Sequence, residues 1–126
     1  MLWSFDRDAL VEDLPHEQEF NFWRGKLSDA DYERVVEAIN EAIGDDEVST
    51  AGWIPGHDWT GTPYEPLYYA CGKNTEQAGR FFGLIVFKLL MDRQDRAWGF
   101  GRYEKGGVPI TSMTYFVVNK DKLPLR

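Results

Sequence analysis

The sequence predicts an α+β fold in which two main helices pack on a mostly antiparallel sheet that ends in a C-terminal β-hairpin. Two stretches carry apolar residues at the three- and four-residue spacing of a helix, one ending near residue 44 and one starting near residue 75. The last third alternates as strands do, around a pair of glycines. A chain of 126 residues fits a single domain, residues 1–126, built on this plan.

The N-terminal elements are predicted to be short. Residues 2–5 alternate weakly and predict a strand, whereas residues 6–19 are polar and acidic, contain Pro15, and predict a loop. Residues 20–27 hold several aromatic side chains close together and predict a second strand. These side chains are Phe20, Phe22 and Trp23.

The first main helix begins after Ser28, whose hydroxyl is placed to accept a hydrogen bond from the amide of Asp31. Gly44 ends it, because glycine adopts the backbone conformation that closes a helix at little cost. One apolar stripe predicts a core on one side and water on the other. The stripe consists of Tyr32, Val35, Val36, Ile39 and Ile43.

The second main helix is predicted over residues 75–92, with Asn74 as its N-cap and Gln77 in the capping-box position. Apolar residues surround almost its whole circumference, which predicts burial on several sides. Two arrangements satisfy that pattern. Either the helix is the centre of the domain, or one flank meets a second copy and the chain is a homodimer through helix 75–92.

The hairpin is predicted from residues 97–104, a turn at 105–107, and residues 108–118. Pro109 has no amide to donate, so we expect it at an edge or at a strand start. Gly99 and Gly101 share one face of the first strand. Glycines in this arrangement allow the second main helix or an aromatic ring to approach the backbone closely.

Composition excludes several classes of protein. The net charge is −7, and an acidic surface repels phosphate, so we expect no nucleic-acid partner. The first half is the acidic one: residues 1–63 carry 4 basic and 15 acidic side chains, a balance of −11. We expect no membrane association, because the longest apolar run, residues 81–90, is about half a bilayer span. The single cysteine and an N-terminus without signal-peptide features predict a cytoplasmic location.

The segment from Gly52 to Tyr69 is the most unusual part of the sequence, because aromatic residues are interleaved with Gly and Pro. Long ordered loops in compact domains are often functional, and Trp and Tyr favour binding surfaces. Either the segment covers one end of the core as an Ω-loop, or it binds a protein or a small ligand. The candidate binding residues are Trp53, His57, Asp58, Trp59, Tyr64, Glu65 and Tyr68.

No catalytic, cofactor or metal site is predicted. His57 and Asp58 are adjacent, and neighbouring side chains of an extended backbone point apart, so they make a poor base and orienting carboxylate. Cys71 has apolar neighbours, as inert buried cysteines do. Two histidines and one cysteine show no metal-ligand spacing.

Two functional hypotheses follow. The favoured one is a small acidic, non-enzymatic interaction protein (an inhibitor, an immunity-like protein or an adaptor) that binds a protein partner through the aromatic segment 52–69. The alternative is a small enzyme or ligand binder whose pocket is lined by the same segment, with His57, Asp58 and Glu65 as its polar groups. The aromatic content and the scarcity of titratable candidates favour the first.

Overall fold

The computed structural model describes residues 1–5, 7–44, 48–50, 59–105, 108–119, 121 and 123, with backbone alone at 48–50, 102–105 and 108–112. Within that part of the chain there are four helices and five strands. The strands are β1 (Leu2–Ser4), β2 (Ala9–Leu10), β3 (Val48–Thr50), β4 (Ala97–Lys105) and β5 (Val108–Val118). The helices are α1 (Glu17–Arg24), α2 (Asp29–Ile43), α3 (Glu65–Ala70) and α4 (Thr75–Asp92).

The strands form a single sheet in the order β2-β1-β4-β5-β3. β1 runs parallel to β4, and every other neighbouring pair is antiparallel. Helices cover one face, where Trp98 and Tyr115 are buried and the ring of Phe87 on α4 lies 5.5 Å from that of Phe100. The α+β class, the mostly antiparallel sheet and the closing hairpin are therefore confirmed.

The prediction of a strand over residues 20–27 is wrong, because α1 occupies most of it. Phe20 and Trp23 are three residues apart and both are buried, whereas Phe22 is 61% exposed. The buried aromatic residues thus follow helical spacing, and Phe22 lies on the exposed side of the helix. The predicted loop over residues 6–19 also contains β2 and the first turn of α1.

The two main helices form where they were predicted. The Ser28 side chain accepts from the Asp31 amide at 3.1 Å, and Gly44 follows the end of α2 with a φ of 49°. Asn74 caps α4 in the same way, accepting from the Gln77 amide at 2.9 Å. Local capping chemistry therefore accounts for the start of both helices.

The apolar circumference of α4 is explained by burial within one chain. The helix packs on α1, α2, α3 and β1. Eight of its side chains are buried, so the centre-of-domain arrangement accounts for the pattern, and a homodimer through this helix stays a prediction. The buried residues are Ala78, Phe81, Phe82, Leu84, Ile85, Val86, Phe87 and Leu90.

Gly99 lets two aromatic rings close over the sheet face that points away from the helices. Phe5 and Phe116 stack there, with centroids 6.0 Å apart and an interplanar angle of 15°. A Cβ on Gly99 would lie 2.5 Å from the Phe116 ring and 2.7 Å from the Phe5 ring. The close approach predicted at this glycine is thus made by aromatic rings. At Gly101 no atom of the described residues lies within 4 Å of the equivalent position.

The hairpin follows the predicted boundaries, with its turn glycines outside the described residues. Pro109 is the second residue of β5 and lies opposite Glu104, at a strand start as expected.

Candidate binding cleft

A cleft of about 500 Å³ lies between the turn that joins α1 to α2 and residues 61–70. It is built from two parts of the chain that are distant in sequence. Seven polar or aromatic side chains on its walls carry its chemistry. They are Lys26, Ser28, Asp31, Arg34, Thr62, Glu65 and Tyr69.

Local hydrogen bonds shape the wall that belongs to the aromatic segment. The Thr62 hydroxyl donates to the Trp59 carbonyl at 2.6 Å, and the Gly61 amide donates to Oε2 of Glu65 at 2.9 Å. Gly61 has a φ of 74°, a conformation that disfavours other residues. Pro66 follows in the first turn of α3, where its missing amide costs nothing. The wall is therefore specified by its own sequence.

Two of the predicted binding residues pack inward behind this wall. The Trp59 and Tyr64 rings lie 5.9 and 5.3 Å from the ring of Phe82 on α4, and Tyr64 is buried. Burial raises the pKa of Tyr64, and nearby Glu41 adds to the effect. In this part of the segment the aromatic side chains support the core, as the Ω-loop alternative requires.

Two tyrosines at the other end of the segment are less buried than Tyr64. Tyr69 is 58% exposed, and its ring meets that of half-buried Tyr68 edge-on at 5.7 Å. The Tyr69 hydroxyl donates to Oε1 of Glu65 at 3.4 Å, a weak hydrogen bond across one turn of α3. Among the described aromatic residues of the segment, Tyr69 is thus the most exposed, and it lies on the rim of the cleft.

The charges in the cleft are unevenly neutralised. Arg34 pairs with Asp31 at 3.0 Å, and the Lys26 ammonium lies 4.4 Å from the centroid of the Phe22 ring. Glu65 receives hydrogen bonds only from neutral donors, and no cation of the described residues lies within 4.0 Å of it. Glu65 is thus a positioned carboxylate without a countercharge in the described part of the chain.

The structure brings some predicted residues to one place and leaves others untested. Glu65 lines the cleft, and Tyr68 contacts its rim residue Tyr69. Trp53, His57 and Asp58 lie outside the described residues. Lys26 and Arg34 could not be anticipated, because no local pattern shows that the start of α2 meets residues 61–70.

No group of three or more His, Cys, Asp or Glu side chains is placed to hold a metal ion in the described ranges. None of the described helices has the length and apolar character needed to cross a membrane. No family model, curated protein or solved structure matches the chain. The cleft is therefore interpreted from its own geometry.

Cys71 is expected to be unreactive in the folded protein. The thiol is buried at the end of α3, and burial raises its pKa to about 11 against the weaker opposing effect of Lys26. The protonated thiol is a poor nucleophile. We therefore expect iodoacetamide at neutral pH to modify Cys71 much more slowly than in the chain unfolded in guanidinium chloride, as followed by mass spectrometry. Equal rates in the two states would contradict this.

Because burial raises the pKa of Cys71, we expect the free energy of unfolding to fall at alkaline pH. Between the ordinary thiol pKa of 9.0 and about 11, the unfolded chain loses a proton that the folded chain retains. The stabilisation that the protonated Cys71 thiol contributes is complete below pH 9.0 and is lost as the pH rises towards about 11.

Proposed function

We propose that this chain is a small non-enzymatic interaction protein, acting as an inhibitor, an immunity-like protein or an adaptor, and that a protein partner docks on the cleft. The observation that carries the proposal is Tyr69, 58% exposed on the rim of a concave surface, while Trp59 and Tyr64 of the same segment pack inward. Aromatic residues beside a concavity are favoured anchors of interfaces.

Charge supports a basic partner. Residues 1–63 have a balance of −11, and α2 carries Glu33, Glu37 and Glu41 on its exposed side. Complementary charge accelerates association between proteins, and an acidic surface disfavours nucleic acid. We place the interaction in the cytoplasm, in keeping with a free, buried Cys71.

Site-specific photocrosslinking tests the proposal. A benzophenone amino acid at position 69 is expected to crosslink a defined protein in lysate of the source organism. The matched control carries the same group at Phe5, which is 54% exposed on the sheet face away from the helices. Crosslinking from position 69 alone supports docking at the cleft, whereas equal patterns from both positions, or none from position 69, would contradict it.

Trp59→Ala is a poor probe of the same question. Its ring packs against Tyr64 and Phe82, so its removal disturbs the fold as well as any binding surface. Tyr69→Ala removes an exposed side chain and is expected to leave the free energy of unfolding within about 0.5 kcal/mol of wild type.

The volume of the cleft supports a second candidate, a small-ligand binder. About 500 Å³ lies within the range of ligand sites. Native mass spectrometry of the chain purified from its source distinguishes the interaction protein from the ligand binder. A small molecule that co-purifies with wild type and is lost in Tyr69→Ala would favour the ligand binder.

A further inference from the structure

We infer that the cleft receives an arginine side chain of the partner, whose guanidinium stacks on Tyr69 and pairs with Glu65. This inference rests on the proposed function and deepens it, because it names the chemical group that the cleft recognises.

The Glu65 carboxylate is held ready for such a group. Oε2 accepts from the Gly61 amide at 2.9 Å, and Oε1 accepts from the Tyr69 hydroxyl at 3.4 Å. Both donors are neutral, so they do not offset the negative charge of the Glu65 carboxylate. Each carboxylate oxygen can accept one more hydrogen bond. A planar guanidinium donates to both oxygens of a carboxylate at once, which makes arginine the best match.

Tyr69 supplies the second half of the site. It is four residues after Glu65 on α3, so the two side chains share one face of the helix. The ring is 58% exposed, and Tyr68 contacts it edge-on with an interplanar angle of 70°. A cation that reaches Glu65 therefore passes near the ring, and a guanidinium over a tyrosine face is attracted by its quadrupole.

Two cations, Lys26 and Arg34, line the cleft and would repel a guanidinium, but each already has a contact within the chain. Arg34 is paired with Asp31 at 3.0 Å, and the Lys26 ammonium lies over the ring of Phe22, an exposed residue of α1. An anionic ligand would instead meet Glu65, which no described cation neutralises. The balance of charge on the α3 side of the cleft therefore favours a cation, in agreement with the acidic first half of the chain.

The test is an NMR titration of the full chain with N-acetyl-arginine amide, with N-acetyl-citrulline amide as the neutral isostere. We expect saturable shifts at the amides of Gly61, Glu65 and Tyr69 with the arginine probe and weaker binding of the citrulline probe. Glu65→Gln retains an oxygen for the Gly61 amide and is expected to weaken arginine binding about threefold to tenfold. Tyr69→Leu is expected to weaken it about twofold to fivefold.

Glu76→Gln is the matched control, since it removes an exposed carboxylate from the start of α4, outside the cleft. It is expected to bind the arginine probe like wild type. Equal binding of the two probes, or of the arginine probe by wild type and Glu65→Gln, would overturn the inference.

The photocrosslink from position 69 separates this result from the proposed function. If the chain with the crosslinker at position 69 captures the partner equally with and without Glu65→Gln, the docking surface is supported and arginine recognition is contradicted. If Glu65→Gln abolishes the capture and Glu76→Gln does not, both are supported.

Discussion

Phe81→Ala is expected to lower the free energy of unfolding by about 3–5 kcal/mol, the range for removing a large aromatic side chain from a packed core. Phe81 is completely buried on α4, and its ring lies 5.8 Å from that of Phe20 and 5.6 Å from that of Trp23. The substitution therefore removes the aromatic contacts of Phe81 with Phe20 and Trp23 on α1. Denaturant unfolding followed by circular dichroism measures the loss.

Phe22→Ala is the matched control, because it deletes the same side chain from the exposed face of α1. Its expected effect is within about 0.5 kcal/mol, as for most surface substitutions. The comparison also tests the helical assignment of residues 17–24. In a strand, Phe20 and Phe22 would share a face, so similar losses for Phe22→Ala and Phe81→Ala would argue against α1 as described.

Gly99→Ala is expected to cost about 1–3 kcal/mol, the usual penalty for forcing atoms into packed space. The added methyl would lie 2.5 Å from the Phe116 ring and 2.7 Å from the Phe5 ring, so both rings must move. Thermal and denaturant unfolding report the change. Gly101→Ala, two residues along the same strand, meets no atom within 4 Å in the part of the chain that the structure describes. We expect that control to be neutral or stabilising by up to about 1 kcal/mol, through reduced freedom of the unfolded chain.

A double variant identifies the cause of the loss at Gly99. Phe5 is 54% exposed, so Phe5→Ala costs little by itself and removes one of the two ring contacts that the new methyl would make. The pair Gly99→Ala and Phe5→Ala is therefore expected to lose less stability than the sum of the single changes. Strict additivity would show that contact with the Phe5 ring is not the source of the penalty.

Local chemistry predicted the parts of the fold that depend on neighbouring residues. Ser28 and Asn74 mark the starts of α2 and α4 because each side chain accepts from an amide three residues later. The strand predicted around Phe20 was wrong because aromatic residues favour strands, whereas the contact of Phe20 with Phe81 favours a helix. That contact joins residues 61 positions apart, and single-sequence periodicity contains no information about it.

In the candidate site, too, the sequence predicts what depends on neighbouring residues and does not predict what depends on the packing of distant segments. Glu65 and Tyr68 were selected from their segment, and Glu65 lines the cleft. Tyr69 differs from buried Tyr64 in exposure, a property that depends on how α3 lies on α4. The opposite wall, with Lys26 and Arg34, comes from a different part of the chain and appears only when the helices are packed.

The strand order implies that the sheet forms only after the hairpin of β4 and β5 has been synthesised. β1 obtains its central partner only when β4 has been synthesised, since Leu2 pairs with Trp98, and β3 depends on β5 in the same way. Until then β1 has only its local partner β2, and the long-range pairings carry a loop-closure cost before they return any stability. During synthesis α2 can form early, but the pairing of β1 with β4 and of β3 with β5 must wait for the hairpin. A stalled or truncated product that lacks β4 and β5 would therefore expose β1 and β3 together, the state in which such a chain is most prone to aggregate.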